Sequence, residues 1–130
     1  IIDLIHSHGK PFLWHSCGCI FDIMDDMIEL GIDAKHSNED QIAEFDKWID
    51  LYSDRIGLFG GIDVNLLCLN KPDEVKETVQ DMGRRFRNRA NGYALGSGNS
   101  IPDYVPIEGY LAMLEAAKII RDKEADSSSV

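Results

Sequence analysis

Four times along this chain a short apolar run breaks off in polar or glycine residues and gives way to a stretch with a one-sided apolar stripe. The runs are Phe12 to His15, Ile32 to Lys35 delivering His36, Arg55 to Phe59, and Tyr93 to Leu95. Runs so short and so little alternated suit strands buried on both faces. The stretches that follow keep the roughly 3.6-residue period of amphipathic helices. Their faces are Ile20, Ile23, Met24, Met27 and Ile28; Ile42, Phe45, Trp48, Ile49 and Tyr52; Val75, Val79, Met82 and Phe86; and Tyr110, Leu111, Leu114, Ala117 and Ile120. A shorter stripe, Ile1, Leu4 and Ile5, precedes them and ends at Gly9. The predicted order is therefore one helix and then strand-helix four times, which calls for parallel strands joined by right-handed crossovers.

A repeat of roughly 20 to 35 residues suits the (βα)8 barrel, of which four units are half, and an open doubly wound sheet is the alternative. The barrel is favoured because every run ends in polar or glycine residues that would share one rim. The chain also opens on Ile1-Ile2, partway into a helical stripe, as a piece of a longer protein would. The expected organisation is half a barrel over residues 1–123 and a disordered polar tail over residues 124–130.

The helix starts and stops are written in local chemistry. Ser37-Asn38-Glu39-Asp40 reads as the opening of the second crossover helix, Pro72 as the first turn of the third and Pro106 as that of the last. Gly31 and Asn91-Gly92 read as stops. Gly60-Gly61 reads as a tight turn that ends the third strand and presents Asp63.

A net charge of −10 and a pI near 4.6 exclude a nucleic-acid surface, since neutralising phosphates takes clustered cations. The one basic cluster, Arg84, Arg85, Arg87 and Arg89, reads as a solvated helix face. No apolar run approaches the roughly 20 residues of a membrane span. Three cysteines, an odd number, point to a reducing cytoplasm with free thiols.

Chemistry gathers where the runs end. His15 and Cys17 stand two apart at a strand end, so they can face one way and share a metal such as zinc; a buried histidine beside a packed thiol is the plainer reading. His36 ends the adjacent strand, about 5 to 10 Å from His15 on the same rim. It is expected as a third metal ligand or proton donor, or else as a histidine bonded to Glu39 or Asp40. Asp63 is either a helix cap or a carboxylate facing substrate. Gly96-Ser97-Gly98-Asn99-Ser100 offers backbone N–H groups to an anionic group. Cys19 is expected to pack inward, and Cys68, within Leu66-Leu67-Cys68-Leu69, to fill apolar space.

Trp14-His15-Ser16-Cys17-Gly18, Glu29-Leu30-Gly31-Ile32-Asp33-Ala34, Gly60-Gly61-Ile62-Asp63 and Gly96-Ser97-Gly98-Asn99-Ser100-Ile101-Pro102 with Pro106 together resemble the carboxyl-terminal half of the uroporphyrinogen decarboxylase superfamily. The resemblance spans nearly the whole chain and implies a (βα)8 TIM barrel. It implies an enzyme of one of two branches. One is the cofactor-free decarboxylase of porphyrin biosynthesis, a carboxy-lyase; the other comprises zinc-dependent methyltransferases that move a methyl group between a corrinoid and a thiol such as coenzyme M. His15-x-Cys17 resembles the zinc motif of the second branch. Asn99 stands where that branch takes a further cysteine, which leaves His36 or a residue outside this chain as the third ligand.

The resulting expectation is a methyltransferase using zinc on His15, Cys17 and His36, with His36 and Asp63 as catalytic groups. Gly61, Asp63, Ser97, Gly98 and Asn99 are expected to bind a thiol or methoxyl substrate. A corrinoid would be the co-substrate, carried on a partner protein. The barrel would be completed by its amino-terminal half or by a second copy in a homodimer. The porphyrinogen decarboxylase is the runner-up; an inactive fragment that serves only folding or association is a third reading.

Overall fold

The computed structural model describes residues 1–39 and 41–127. Its strands, β1 (Leu13–His15), β2 (Ala34–His36), β3 (Gly57–Ile62) and β4 (Tyr93–Ser97), form one parallel sheet in the order β1-β2-β3-β4. Each strand lies beside its neighbour in sequence with no reversal of order, which is barrel succession and excludes the doubly wound alternative. The fold is thus a partial TIM barrel.

Helix α1 (Ile2–Ser7) precedes the sheet. A single 3₁₀ turn, Phe21–Ile23, and α2 (Met24–Glu29) lead from β1 to β2, and α3 (Phe45–Tyr52) from β2 to β3. Between β3 and β4 come α4 (Val64–Leu69) and α5 (Pro72–Arg89), and α6 (Ile107–Ser127) follows β4. Pro72 sits at the start of α5, where its missing N–H costs nothing, and the Glu74 carboxylate turns back to accept the Lys71 N–H at 3.1 Å. Among the described residues no helix is long and apolar enough to cross a membrane.

The helices cover one face of the sheet. Trp14 and Leu58 pack there with Met24, Phe45, Trp48, Tyr52 and Phe86, and a second cluster joins Ile62 and Leu67 to Val75, Val79, Met113 and Ala116. Strand side chains alternate between faces, and the residues that alternate with the packed ones are open: Leu13 is 45% and Phe59 37% exposed. In a closed barrel that face is the interior. The arginine cluster is not merely solvated. Arg85 and Arg89 both pair with Asp46, and Arg89 with Asp50 at 2.5 Å, which ties α5 to α3.

Several boundaries differ from expectation. The helix expected from Ser37 begins only at Phe45, because Ser37 and Asn38 are buried and spend their polar groups on neighbouring strands. β3 runs through Gly60 and Gly61 instead of turning at them, and α4 is an element the sequence did not announce. Helix α6 continues through Ser127, so the tail expected to be disordered from 124 is helical over its first four residues; residues 128–130, like Asp40, lie outside the described residues. Cys19, expected inside, is exposed, while Cys68 packs partly against the second cluster.

One buried charge stands out. Lys35 is 1% exposed, with its ammonium 4.2 Å from the centre of the Trp48 ring; it donates to the Ser37 carbonyl and, at 3.2 Å, to Asn38 Oδ1. Burial pushes it down to about 8, with Cys17 and Glu39 offsetting part of the shift. Its value in the unfolded chain is about 10.4, so between the two values the unfolded state holds a proton that the folded state lacks. Stability should therefore rise with pH from about 8 and level off above about 10.4, by up to roughly 3 kcal/mol. Urea denaturation across this range should show the rise in the parent and not in Lys35→Met; equal pH slopes in the two would refute the assignment.

Candidate functional site

Parallel pairing sets His15 directly beside His36 at the carboxyl ends of β1 and β2. Their rings meet, with centroids 4.9 Å apart and Nδ1 facing Nδ1 at 2.8 Å. The His36 Nε2 lies 3.0 Å from the Ser97 carbonyl at the end of β4. On the other side of the His15 ring, Nε2 lies 3.6 Å from the Cys17 sulfur. That sulfur also receives the Ser37 hydroxyl at 3.5 Å and lies 3.7 Å from Asn99 Oδ1. His15, Cys17, His36, Ser97 and Asn99, drawn from three strand ends, thus meet in one place.

The meeting requires β2 and β4 to reach across β3, and Gly60 makes room for it. Its φ is +123°, and a Cβ there would come within 3.1 Å of the Ser97 carbonyl oxygen and 3.5 Å of Asn38 Nδ2. Over this gap the Asn38 N–H donates to the Gly98 carbonyl at 2.8 Å, and its side-chain amide donates to the Phe59 carbonyl at 2.8 Å. Asn99 is fixed from both sides: its amide donates to Glu39 Oε1 at 2.7 Å, its Oδ1 accepts the Ser100 N–H at 2.8 Å, and its carbonyl accepts the Ser97 hydroxyl at 2.5 Å.

Next to this cluster lies a cavity of about 180 Å³ whose walls include Glu39, Asp63, Asn65, Gly98, Asn99 and Tyr104. Of the residues expected to bind substrate, it brings together Asp63, Gly98 and Asn99. Ser97 stands behind them, holding Asn99. Gly61 is placed differently: it is buried in β3, and a Cβ on it would meet the Phe45 ring at 3.0 Å and the Phe86 ring at 3.1 Å, so the position serves aromatic packing. Asp63 caps α4, its carboxylate accepting the Asn65 N–H at 2.9 Å.

For the expected ligand set the geometry separates His36 from the other two. Both of its ring nitrogens are spent, one on His15 and one on Ser97, whereas His15 Nε2 and the Cys17 sulfur face each other. Among the described residues no three His, Cys, Asp or Glu side chains form a group that could hold a metal ion. Sequence reading overlooked Lys35, Ser37 and Asn38; the signal for Asn38 was present but pointed to a helix start.

The family model described as uroporphyrinogen decarboxylase (URO-D) matches residues 1–120. Among solved structures, a methyltransferase from Methanosarcina mazei aligns with a TM-score of 0.64 at 21% identity, covering 92% of this chain and 34% of that one. The chain therefore spans about a third of that protein's length, and at this identity the likeness is one of fold. No match was found among curated proteins.

The two readings of Asp63 separate by substitution. As a cap it predicts that Asp63→Ala lowers stability by about 1 kcal/mol while Asp63→Asn or Asp63→Ser loses only a few tenths. Thermal and urea melts of the three variants check it, and a loss confined to none of them, or equal in all, would contradict the capping role.

Proposed function

Because this chain belongs to the uroporphyrinogen decarboxylase family, with the fold of a partial TIM barrel, we propose that it carries part of the metal and substrate site of a zinc-dependent methyltransferase. The observation that supports this most is the facing pair of donors, His15 Nε2 and Cys17 Sγ, 3.6 Å apart. Zinc binds imidazole nitrogen at about 2.0–2.1 Å and thiolate at about 2.3 Å, so two such ligands in a tetrahedral site lie about 3.5 Å apart. The 3.6 Å separation of the pair supports the metal reading. The decarboxylase reading makes no use of a thiol at position 17.

His15 and Cys17 would hold the ion, and further donors would come from the rest of the barrel. Zinc, when bound, supplies Lewis acidity that makes a thiol or methoxyl substrate more acidic or more easily demethylated. The chain's own residues do the rest. Glu39, Gly98 and Asn99 line the cavity beside the pair and orient the substrate, and the Ser37 hydroxyl donates to the sulfur and holds it in place. The methyl group would pass between that substrate and a corrinoid carried on a partner protein.

The same reading bears on what closes the barrel. α1 packs against the turn that leads into β2, with Ile2 and His6 near Gly31 and His6 bonded to Asp33, and α6 lines one cavity with Tyr93 and Leu95 of β4. The amino-terminal βα units, or a second copy in a homodimer, would cover the open edges of β1 and β4.

Equilibrium dialysis against zinc and cobalt(II) tests the metal reading. His15→Ala and Cys17→Ser should each weaken binding by tenfold or more, on the order of what loss of a direct ligand removes. Cys68→Ser should bind as the parent does. Asn99→Cys should bind tighter, since it adds a thiolate at a position whose side chain already reaches Cys17. Equal metal in parent, His15→Ala and Cys17→Ser would refute the site.

A further inference from the structure

We infer that His36 is a positioning residue that fixes which ring nitrogen of His15 carries the proton, so that an Nε2 lone pair faces the Cys17 sulfur. The inference rests on the zinc reading only for its consequence in metal binding; the proton placement stands on this chain's own hydrogen bonds.

The chain of bonds has one direction. It is anchored at the Ser97 carbonyl, which can only accept, so the His36 Nε2 at 3.0 Å must be the donor. A neutral imidazole that is protonated at Nε2 has its lone pair on Nδ1. His36 Nδ1 therefore accepts, and the His15 Nδ1 at 2.8 Å donates to it. With its proton on Nδ1, His15 carries its lone pair on Nε2, and this is the nitrogen 3.6 Å from Cys17 Sγ. Without the relay, a histidine prefers the opposite tautomer in water and would turn an N–H toward the sulfur.

The anchor is rigid. Ser97 lies in β4, in register with Ile62 of β3, and its hydroxyl is held by the Asn99 carbonyl at 2.5 Å. His36 is partly buried at a strand end, in register with His15. A metal-binding histidine commonly gives its second N–H to a carbonyl or carboxylate, which fixes the tautomer and the ring orientation. Here an interposed histidine carries that role from β1 across to β4. This accounts for a residue whose two nitrogens are both occupied and which is therefore poorly placed to be a ligand itself.

The test reads the proton directly in the metal-free chain, by long-range ¹H–¹⁵N correlation of the imidazoles near pH 8, where an ordinary free imidazole is neutral. The parent should show His15 protonated at Nδ1 and bare at Nε2. In His36→Leu the proton should move to Nε2 in most molecules, and cobalt(II) affinity should fall by about 10- to 100-fold. His36→Gln should restore both readouts, because its amide oxygen can accept from His15 and its NH₂ can donate to Ser97. A parent with its His15 proton on Nε2 overturns the inference without need of any variant, as does an unchanged tautomer in His36→Leu. If the tautomer shifts as stated while the parent binds no cobalt, the positioning role stands and the zinc reading falls.

Discussion

The site depends on a tie that crosses β3: the Asn38 backbone N–H donates to Gly98 on the far side, and the Asn38 side chain donates to Phe59 beneath it. Without these bonds the turn after β2 and the loop after β4 would be separate pieces of surface. With them, Ser37 and Asn99 are brought to one sulfur, and His36 and Ser97 stand behind, bonded to each other. The tie demands that Asn38 be buried, and a buried amide must have its hydrogen bonds made. Its oxygen is met by Lys35, itself buried over Trp48. A charged group in that position costs stability at neutral pH, which the depressed value near 8 expresses. The energetic penalty and the geometry of the rim are thus two aspects of one arrangement.

That arrangement also explains why the cluster's polar atoms point where they do. The groups that face the sulfur are held from behind by others: His15 by His36, and Asn99 by Glu39 and Ser97. Ser97 holds Asn99 through its hydroxyl and His36 through its carbonyl. Glu39 takes the Asn99 amide, which turns the Asn99 oxygen toward Cys17. The groups that hold come from strand ends and buried turns, where position is set by the sheet. Cys17 lies just beyond β1 and is exposed.

The alternation of strands and helices was legible because burial on both faces of a parallel strand and on one face of a helix leaves different apolar patterns. The rim was legible for the same reason, since each apolar run has to stop where the strand leaves the core. His15, Cys17 and Asn99 could accordingly be placed on one rim from the pattern, and the family resemblance set Asn99 beside the other two. Asn38 could not, because Ser-Asn-Glu is an ordinary helix opening, and only the presence of Gly98 across the sheet turns it into a brace. His36 was placed on the right strand and beside His15, but its second partner, Ser97, was not foreseen, because it comes from β4, brought near by the order of the strands, which local sequence does not encode. Nor could sequence tell that Gly60-Gly61 stays in the strand, since glycine pairs mark turns far more often than they mark crowding.

Those two glycines show how sharply the fold separates support from chemistry. Consecutive residues of a strand face opposite ways. The empty side of Gly60 meets Ser97, Asn38 and Gly98, whereas the empty side of Gly61 meets Phe45 and Phe86. One glycine therefore gives the rim space to close across β3, and the next gives the helix layer space to pack against it. Both have positive φ, +123° and +93°, so the backbone is bent at the place where the two demands coincide. A strand built only for the core would fill position 60 with a side chain, and the reach from β2 to β4 would be blocked. The sheet gives up regular packing at this one step, and Ser97, Asn38 and Gly98 occupy the space.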